Sequence, residues 1–373
     1  MYRRLAASGL ILLISLCLVS CDPTDRQSAT SASSPAAPTG GATQTPATEV
    51  VATPYKAAPG PNAVAVLVEE WLDAKRDRQV PVKIYYPKAA GRPAPIIVFS
   101  HGLGGTRDGY EYLGRYWASH GYVSVHLQHH GSDDGVWKDA RPAERLRVMR
   151  ASIRDPMAAI DRPKDVSFAI DRLEAMNRAE AADAPLKGRL DLQKIAMAGH
   201  SYGAWTTLAV AGQVFVVRGD RQVAFGDPRI KAAIAMSASV PRDGANLDVA
   251  FGKITIPCLH MTGTLDDSPV GDTKAAERRL PFDHSKACER FLLTLTGGDH
   301  MVFSGRPRRM GGGEKDAEFQ DLIRQSSLAF LDTYLRDDAA ARTWLAGGGF
   351  QKLLGSRGVF EQKLRPVPAK PAS

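Results

Sequence analysis

The 373-residue chain carries no Walker loop, no dinucleotide fingerprint and no recognisable nucleic-acid motif, which removes nucleotide cofactors and nucleic acid from its expected partners. It shows no internal repeat, so a solenoid or propeller is not expected. The most apolar early run, Leu10 to Val19, is too short to span a bilayer comfortably. Cysteine is scarce, with four in the whole chain. Charge is nearly balanced, 48 Lys and Arg against 40 Asp and Glu, and a net +8 of this size identifies no partner. His126, His129 and His130 cluster with Asp133 and Asp134 but lack the tight ligand spacing of zinc sites, so no metal is expected there.

What is present is a serine at a sharp turn. Gly199-His200-Ser201-Tyr202-Gly203 is entered from the apolar run Ile195 to Ala198 and left through Ala204-Trp205-Thr206-Thr207-Leu208-Ala209, a strand, turn and helix with Ser201 at the tip. Small residues are needed there because a strained turn brings its neighbours against adjacent backbone. A second glycine turn, Ser100-His101-Gly102-Leu103-Gly104-Gly105, follows the buried run Ile96-Ile97-Val98-Phe99. The amides of Leu103 and Tyr202 are the expected oxyanion donors.

A serine hydroxyl needs a base, and the base needs an orienting carboxylate. After the run Cys258 to Met261, the loop Thr262-Gly263-Thr264-Leu265-Asp266-Asp267 offers Asp266 as first candidate and Asp267 as second. After the run Phe291 to Leu295, the loop Gly297-Gly298-Asp299-His300 offers His300. The order Ser201, Asp266, His300 suits loops at the carboxyl ends of successive parallel strands. His200 is read as occupying a variable place in the elbow, His101 a structural place in the oxyanion loop, and His260 as a core histidine. Trp137, Trp205 and Phe303 are candidates for an acyl pocket, with core packing the more common role for large aromatics.

The fold class expected is α/β, a mainly parallel eight-stranded sheet covered by helices on both faces. Strands are expected at residues 64–72, 79–86, 96–99, 123–127, 195–198, 232–236, 258–261 and 291–295. Helices are expected at 110–119, 165–177, 202–211 and 316–335. Residues 214–227 read as a surface insertion or partial lid. Arg306-Pro307-Arg308-Arg309 reads as a solvated basic loop, with an anion or membrane contact as the alternative.

Residues 1–20 read as a secretory signal, with Arg3 and Arg4 before the apolar core. Leu18-Val19-Ser20-Cys21 resembles a bacterial lipobox, which implies that Cys21 carries lipid and holds the chain to a membrane. Residues 21–61 are rich in Ser, Thr, Ala and Pro and read as a disordered tether, residues 62–365 as the catalytic domain and 366–373 as a disordered tail. The expected location is the bacterial cell envelope, on the periplasmic face of the inner membrane, and a monomer is expected. Cys17 leaves with the signal. Cys258 and Cys288 remain, and whether they form a disulfide is left open.

Five segments carry a family resemblance: Phe99-Ser100-His101-Gly102-Leu103-Gly104, Gly199-His200-Ser201-Tyr202-Gly203, Asp227-Pro228-Arg229-Ile230-Lys231-Ala232, Met261-Thr262-Gly263-Thr264-Leu265-Asp266 and Gly298-Asp299-His300. The chain from about 64 to 335 resembles the α/β-hydrolases of the dienelactone hydrolase-like group, in particular its bacterial predicted dienelactone hydrolase branch. That resemblance implies a cofactor-free serine esterase acting on a small-molecule or lipid-like ester. Serine at 201, where dienelactone hydrolase itself has cysteine, turns the expectation away from dienelactone. The first two segments are also similar to plasma-type platelet-activating factor acetylhydrolase, and the architecture to cutinase-like polyester hydrolases. The acetylhydrolase carries its acid after the sixth strand, where this chain reads Ala235-Met236-Ser237-Ala238, so the acid is expected after the seventh. The rival expectations are a phospholipid or polyester hydrolase with the same triad, and a catalytically silent lipid-anchored binding module.

Overall fold

A run of residues buried on both faces sets the sheet. In the computed structural model, which describes residues 53–89, 91–178, 184–217, 221–241, 246–305 and 313–365, Ile97 and Phe99 face one side of strand β3 (Ala94–Ser100) and Ile96 and Val98 face the other, all of them buried. Strand β1 (Val64–Asp73) pairs antiparallel with β2 (Arg78–Pro87), and β2 pairs antiparallel with β4 (Val123–Leu127). From β4 the sheet runs parallel through β3, β5 (Leu190–His200), β8 (Ile230–Met236), β9 (Cys258–Leu265) and β10 (Arg290–Asp299). A further strand, β11 (Gly358–Lys363), closes the far edge antiparallel to β10. Among the described residues the sheet therefore has nine strands where eight were expected; β11, Gly-Val-Phe-Glu-Gln-Lys, has no buried apolar run to mark it.

The two faces are covered by helices. One face packs Leu113, Tyr116 and Trp117 of α1 (Glu111–Ser119) with the long α7 (Asp316–Leu335), α8 (Ala339–Ala346) and α9 (Gly349–Leu354). The other packs Val166, Ala169, Ile170 and Leu173 of α3 (Pro156–Asn177) and Ala204 and Leu208 of α4 (Tyr202–Ala211). Short helices α2 (Arg145–Ser152), α5 (Leu247–Phe251) and α6 (Leu280–His284) fill connections. Helix α3 starts nine residues before its expected start at 165. Pro163 lies inside the helix, whose start is Pro156 behind the capping carboxylate of Asp155.

Residues 214–227 hold an antiparallel hairpin, β6 (Val214–Val217) and β7 (Arg221–Ala224), whose Phe215 ring lies 5.1 Å from Trp205 on α4. The folded unit begins earlier than the expected boundary at 62. Tyr55 and Lys56 both reach Asp332 on α7, at 2.8 and 2.7 Å, and Gly60 N donates to Ser119 Oγ at 2.8 Å. Residues 53–61 are thus anchored to the domain by polar contacts, which a composition reading does not register. The signal, Cys21, the tether up to 52, the 306–309 basic stretch and the tail at 366–373 lie outside the described residues. No disulfide joins Cys258 and Cys288: both are buried free thiols, donating to Ile256 O at 3.4 Å and to Ser285 O at 3.3 Å.

Candidate active site

Strand β5 delivers Ser201 in a backbone conformation that few residues tolerate, φ 58° and ψ −116°. The turn is held by the bond from Ser201 N to Met236 O at 2.8 Å on the neighbouring strand. Its glycines are there because backbone passes where a side chain would be. A Cβ on Gly203 would lie 1.8 Å from Ser100 O, and one on Gly199 would lie 2.3 Å from Gly203 O. Helix α4 starts at the next residue, so Tyr202 N is at a helix amino terminus, where the backbone dipole favours negative charge.

Three sequence-predicted side chains meet at this tip. Ser201 Oγ lies 2.9 Å from His300 Nε2, and His300 Nδ1 lies 2.7 Å from Asp266 Oδ1. A carboxylate only accepts, so Nδ1 carries the ring proton toward Asp266 and Nε2 offers its lone pair to the serine hydroxyl. Asp266 Oδ2 accepts from Ser237 Oγ at 2.6 Å and from Thr262 Oγ1 at 2.8 Å. Asp267, the second candidate, points elsewhere: it is exposed and engages Lys274 Nζ at 3.1 Å and Ala275 N at 2.9 Å.

Arg278 is a residue that motif reading passed over. It is 2 % exposed and ties the ends of two strands together, donating from Nε to Asp266 O at 3.1 Å and from Nη1 to Ser237 O and Ala238 O at 2.8 and 2.9 Å. Burial pulls its guanidinium below the usual arginine range, while Asp266, Asp267 and Glu277 oppose that.

Gly102 lies against the serine: a Cβ there would be 3.4 Å from Ser201 Cβ. Its carbonyl accepts from His101 Nδ1 at 2.7 Å and from Gly105 N at 3.0 Å. Since Gly102 C=O and Leu103 N–H belong to one trans peptide, fixing the carbonyl turns the Leu103 amide the opposite way. Neither the Leu103 nor the Tyr202 amide is engaged by an acceptor among the described residues. Trp137 covers this loop by donating from Nε1 to Gly104 O at 2.9 Å. Phe303, by contrast, is fully buried core, and Trp205 packs at a tilt between Tyr202 and Phe215.

A second Ser–His–Asp chain lies beneath the loop. Ser100 Oγ and His129 Nε2 are 2.9 Å apart, and His129 Nδ1 and Asp165 Oδ2 are 2.9 Å apart, with all three side chains buried. Burial, reinforced by the Arg162 charge, pushes His129 down to about 4, so the ring is neutral near pH 7. Arg162 donates to Ser100 Oγ, Ser132 Oγ and Thr206 Oγ1 at 2.8, 2.8 and 2.9 Å and also to His101 O. With no solvent access, this chain braces the end of β3 and offers substrate nothing. His126 and His130 have separate partners, Ser124 and Gly109 O for the first and Asp133 for the second. His260 is buried inside β9, as the sequence suggested, and burial pushes it down to about 3.

A family model described as platelet-activating factor acetylhydrolase, isoform II, matches residues 70–138. The chain is 26% identical over 296 residues to a platelet-activating factor acetylhydrolase of Cavia porcellus, covering 71% of this chain and 63% of that protein. It is 24% identical over 274 residues to Cutinase 1 of Thermobifida cellulosilytica, covering 73% of this chain and 80% of the cutinase. The chain thus spans about three fifths of the acetylhydrolase length. The parallel sheet, the turn at Ser201 and these similarities together identify an α/β-hydrolase fold similar to that of ester-cleaving enzymes.

Proposed function

We propose that this protein is a serine ester hydrolase of the carboxylesterase type. The carrying observation is the unbroken chain from Ser201 Oγ through His300 to Asp266, at 2.9 and 2.7 Å. In this reading Ser201 attacks the ester carbonyl while His300 Nε2 takes the hydroxyl proton, and Asp266 holds the imidazole with Nδ1–H toward it. The Leu103 and Tyr202 amides receive the negative charge that develops on the carbonyl oxygen. Collapse of the tetrahedral species expels the alcohol, which takes its proton from His300 and leaves an acyl-enzyme on Ser201. Water then repeats the sequence and frees the acid.

The names of the relatives supply two candidate substrates, the acetyl ester of platelet-activating factor and cutin. A panel of p-nitrophenyl esters of rising acyl length, run beside a short-chain phospholipid and a polyester film, separates them. We place the enzyme at the bacterial envelope, anchored by lipid on Cys21, on the strength of the lipobox-like Leu18-Val19-Ser20-Cys21, and propose that it acts as a monomer.

Ser201→Ala is expected to lower p-nitrophenyl acetate turnover by several orders of magnitude. A fluorophosphonate probe is expected to label the wild-type chain at Ser201. Hydrolysis that survives Ser201→Ala contradicts the assignment, and a wild-type chain that neither hydrolyses esters nor reacts with the probe supports the silent binding module instead.

A further inference from the structure

The loop that carries Leu103 follows β3 and the loop that carries His300 follows β10, on opposite sides of β5 in the sheet, yet a buried chain of hydrogen bonds connects them. Gly102 N lies 3.3 Å from Tyr110 Oη, Tyr110 Oη lies 2.8 Å from His200 Nδ1, and His200 Nε2 lies 2.9 Å from His300 O. Each proton along it can be placed. The carbonyl of His300 only accepts, so His200 Nε2 carries the ring proton. Burial above all, with His300 and Arg278 as neighbours, pulls His200 well below the ordinary histidine value, so the ring is neutral and Nδ1 is an acceptor. Tyr110 therefore donates its hydroxyl proton to His200, and its oxygen receives the Gly102 N–H.

Two further observations set Tyr110 apart from an ordinary core tyrosine. Its backbone sits in the left-handed region, φ 61° and ψ 25°, at the start of α1, a conformation a bulky residue adopts only when its surroundings impose it. Its ring packs 4.7 Å from Phe99, on the strand that ends in the Gly102 loop. His200 in turn holds its ring 4.7 Å from that of His300.

We propose that Tyr110 and His200 are positioning residues that lock the oxyanion loop to the catalytic-histidine loop, so that the Leu103 amide and His300 Nε2 are held in register with Ser201. Neither residue touches substrate. Their effect is expressed through the placement of groups that do, so it is felt in the transition state, where a displaced donor costs most. This inference rests on the ester-hydrolase reading and deepens it.

The test compares wild type, Tyr110→Phe, His200→Asn and the double variant on p-nitrophenyl acetate. It adds inhibition by a phenylboronic acid, which forms a tetrahedral adduct on the serine. Phenylalanine keeps the ring and removes only the hydroxyl. Asparagine keeps a polar group near Tyr110 but is too short to reach His300 O. Each single variant is expected to lower kcat about tenfold with KM within about twofold, and to weaken boronate inhibition by a factor similar to the loss in kcat. Because both residues act in one chain, the double variant is expected to lose no more than the worse single variant.

The proposal is overturned if both single variants keep kcat within twofold, if KM alone rises, or if the two losses multiply in the double variant. Thermal melts accompany the kinetics. If His200→Asn does not fold, Tyr110→Phe with its kcat and boronate readouts decides alone. Ser201→Ala keeps the two levels apart: wild-type activity lost in Ser201→Ala upholds the ester-hydrolase reading even where Tyr110→Phe behaves as wild type.

Discussion

Asp266 and Asp267 are adjacent in the chain, and their surroundings divide the work between them. Asp266 is fully buried and accepts from His300, Ser237 and Thr262, whereas Asp267 is exposed beside Lys274. Asp266→Asn is expected to cut kcat by about a thousandfold or more, because an amide can present its NH2 to His300 Nδ1 and favour the wrong tautomer. Asp267→Asn is expected to stay within about threefold of wild type. Parallel kcat measurements on the two variants check this, and equal losses would reverse the assignment. Ser201, His300 and Asp266 were legible in the sequence because each stands in a loop after an apolar run, beside glycines that mark a turn. Tyr110, His200, Ser237 and Arg278 were not, because their roles come from partners far along the chain: Tyr110 meets His200 ninety residues away, and Arg278 reaches Ser237 across forty-one. His200 stood in the motif itself, but nothing local to it distinguishes a ring that bonds His300 O from a solvent-facing one.

At the scale of elements, six of the eight expected strands are legible because burial on both faces demands continuous apolar runs and the first two because apolar residues alternate along them, whereas β11 and residues 53–61 are not because polar contacts and pairing fix them. Asp332 on α7 shows what the early segment contributes. Its buried carboxylate accepts from Tyr55 and Lys56 on one oxygen and from Tyr122 and Arg336 on the other, at 2.7–2.9 Å. Burial alone would raise its pKa, but the hydrogen bonds from Lys56 and Tyr122, with Arg336, outweigh it and hold the carboxyl below its ordinary value. A depressed carboxylate stabilises the fold above its unfolded value, near pH 4, and that contribution fades as pH falls through the folded value. The double variant Tyr55→Phe/Lys56→Met is therefore expected to melt several degrees lower at pH 7, a loss of about 2 kcal/mol or more. At a pH below that folded value the gap between variant and wild type is expected to narrow, since Asp332 is then protonated in both. Melting curves at the two pH values check the sign, and a gap that widens in acid would show that Tyr55 and Lys56 act through something other than the charge on Asp332.

For the whole molecule, the proposed chemistry and the proposed anchor separate cleanly along the chain. Every side chain placed at the candidate site, from Tyr110 to His300, and the Leu103 amide belong to residues that the sheet and its loops assemble, and the first described residues packed onto that unit are those at 53–56. Lipid on Cys21 would act through location alone. No helix among the described residues is long and apolar enough to cross a membrane, so within that part of the chain the anchor has no competing span. Cys21→Ala, expressed in a bacterium that processes lipoproteins, is expected to move the protein from the membrane pellet to the soluble fraction and to abolish incorporation of an alkyne-tagged fatty acid. Its kcat/KM on p-nitrophenyl acetate is expected to match wild type within about twofold, because a dissolved substrate gains nothing from a surface. A variant that stays in the pellet, or a wild-type chain that takes up no fatty acid, would place the attachment elsewhere. A variant that leaves the membrane but loses activity on the dissolved ester would mean that the lipid supports the fold as well as its address.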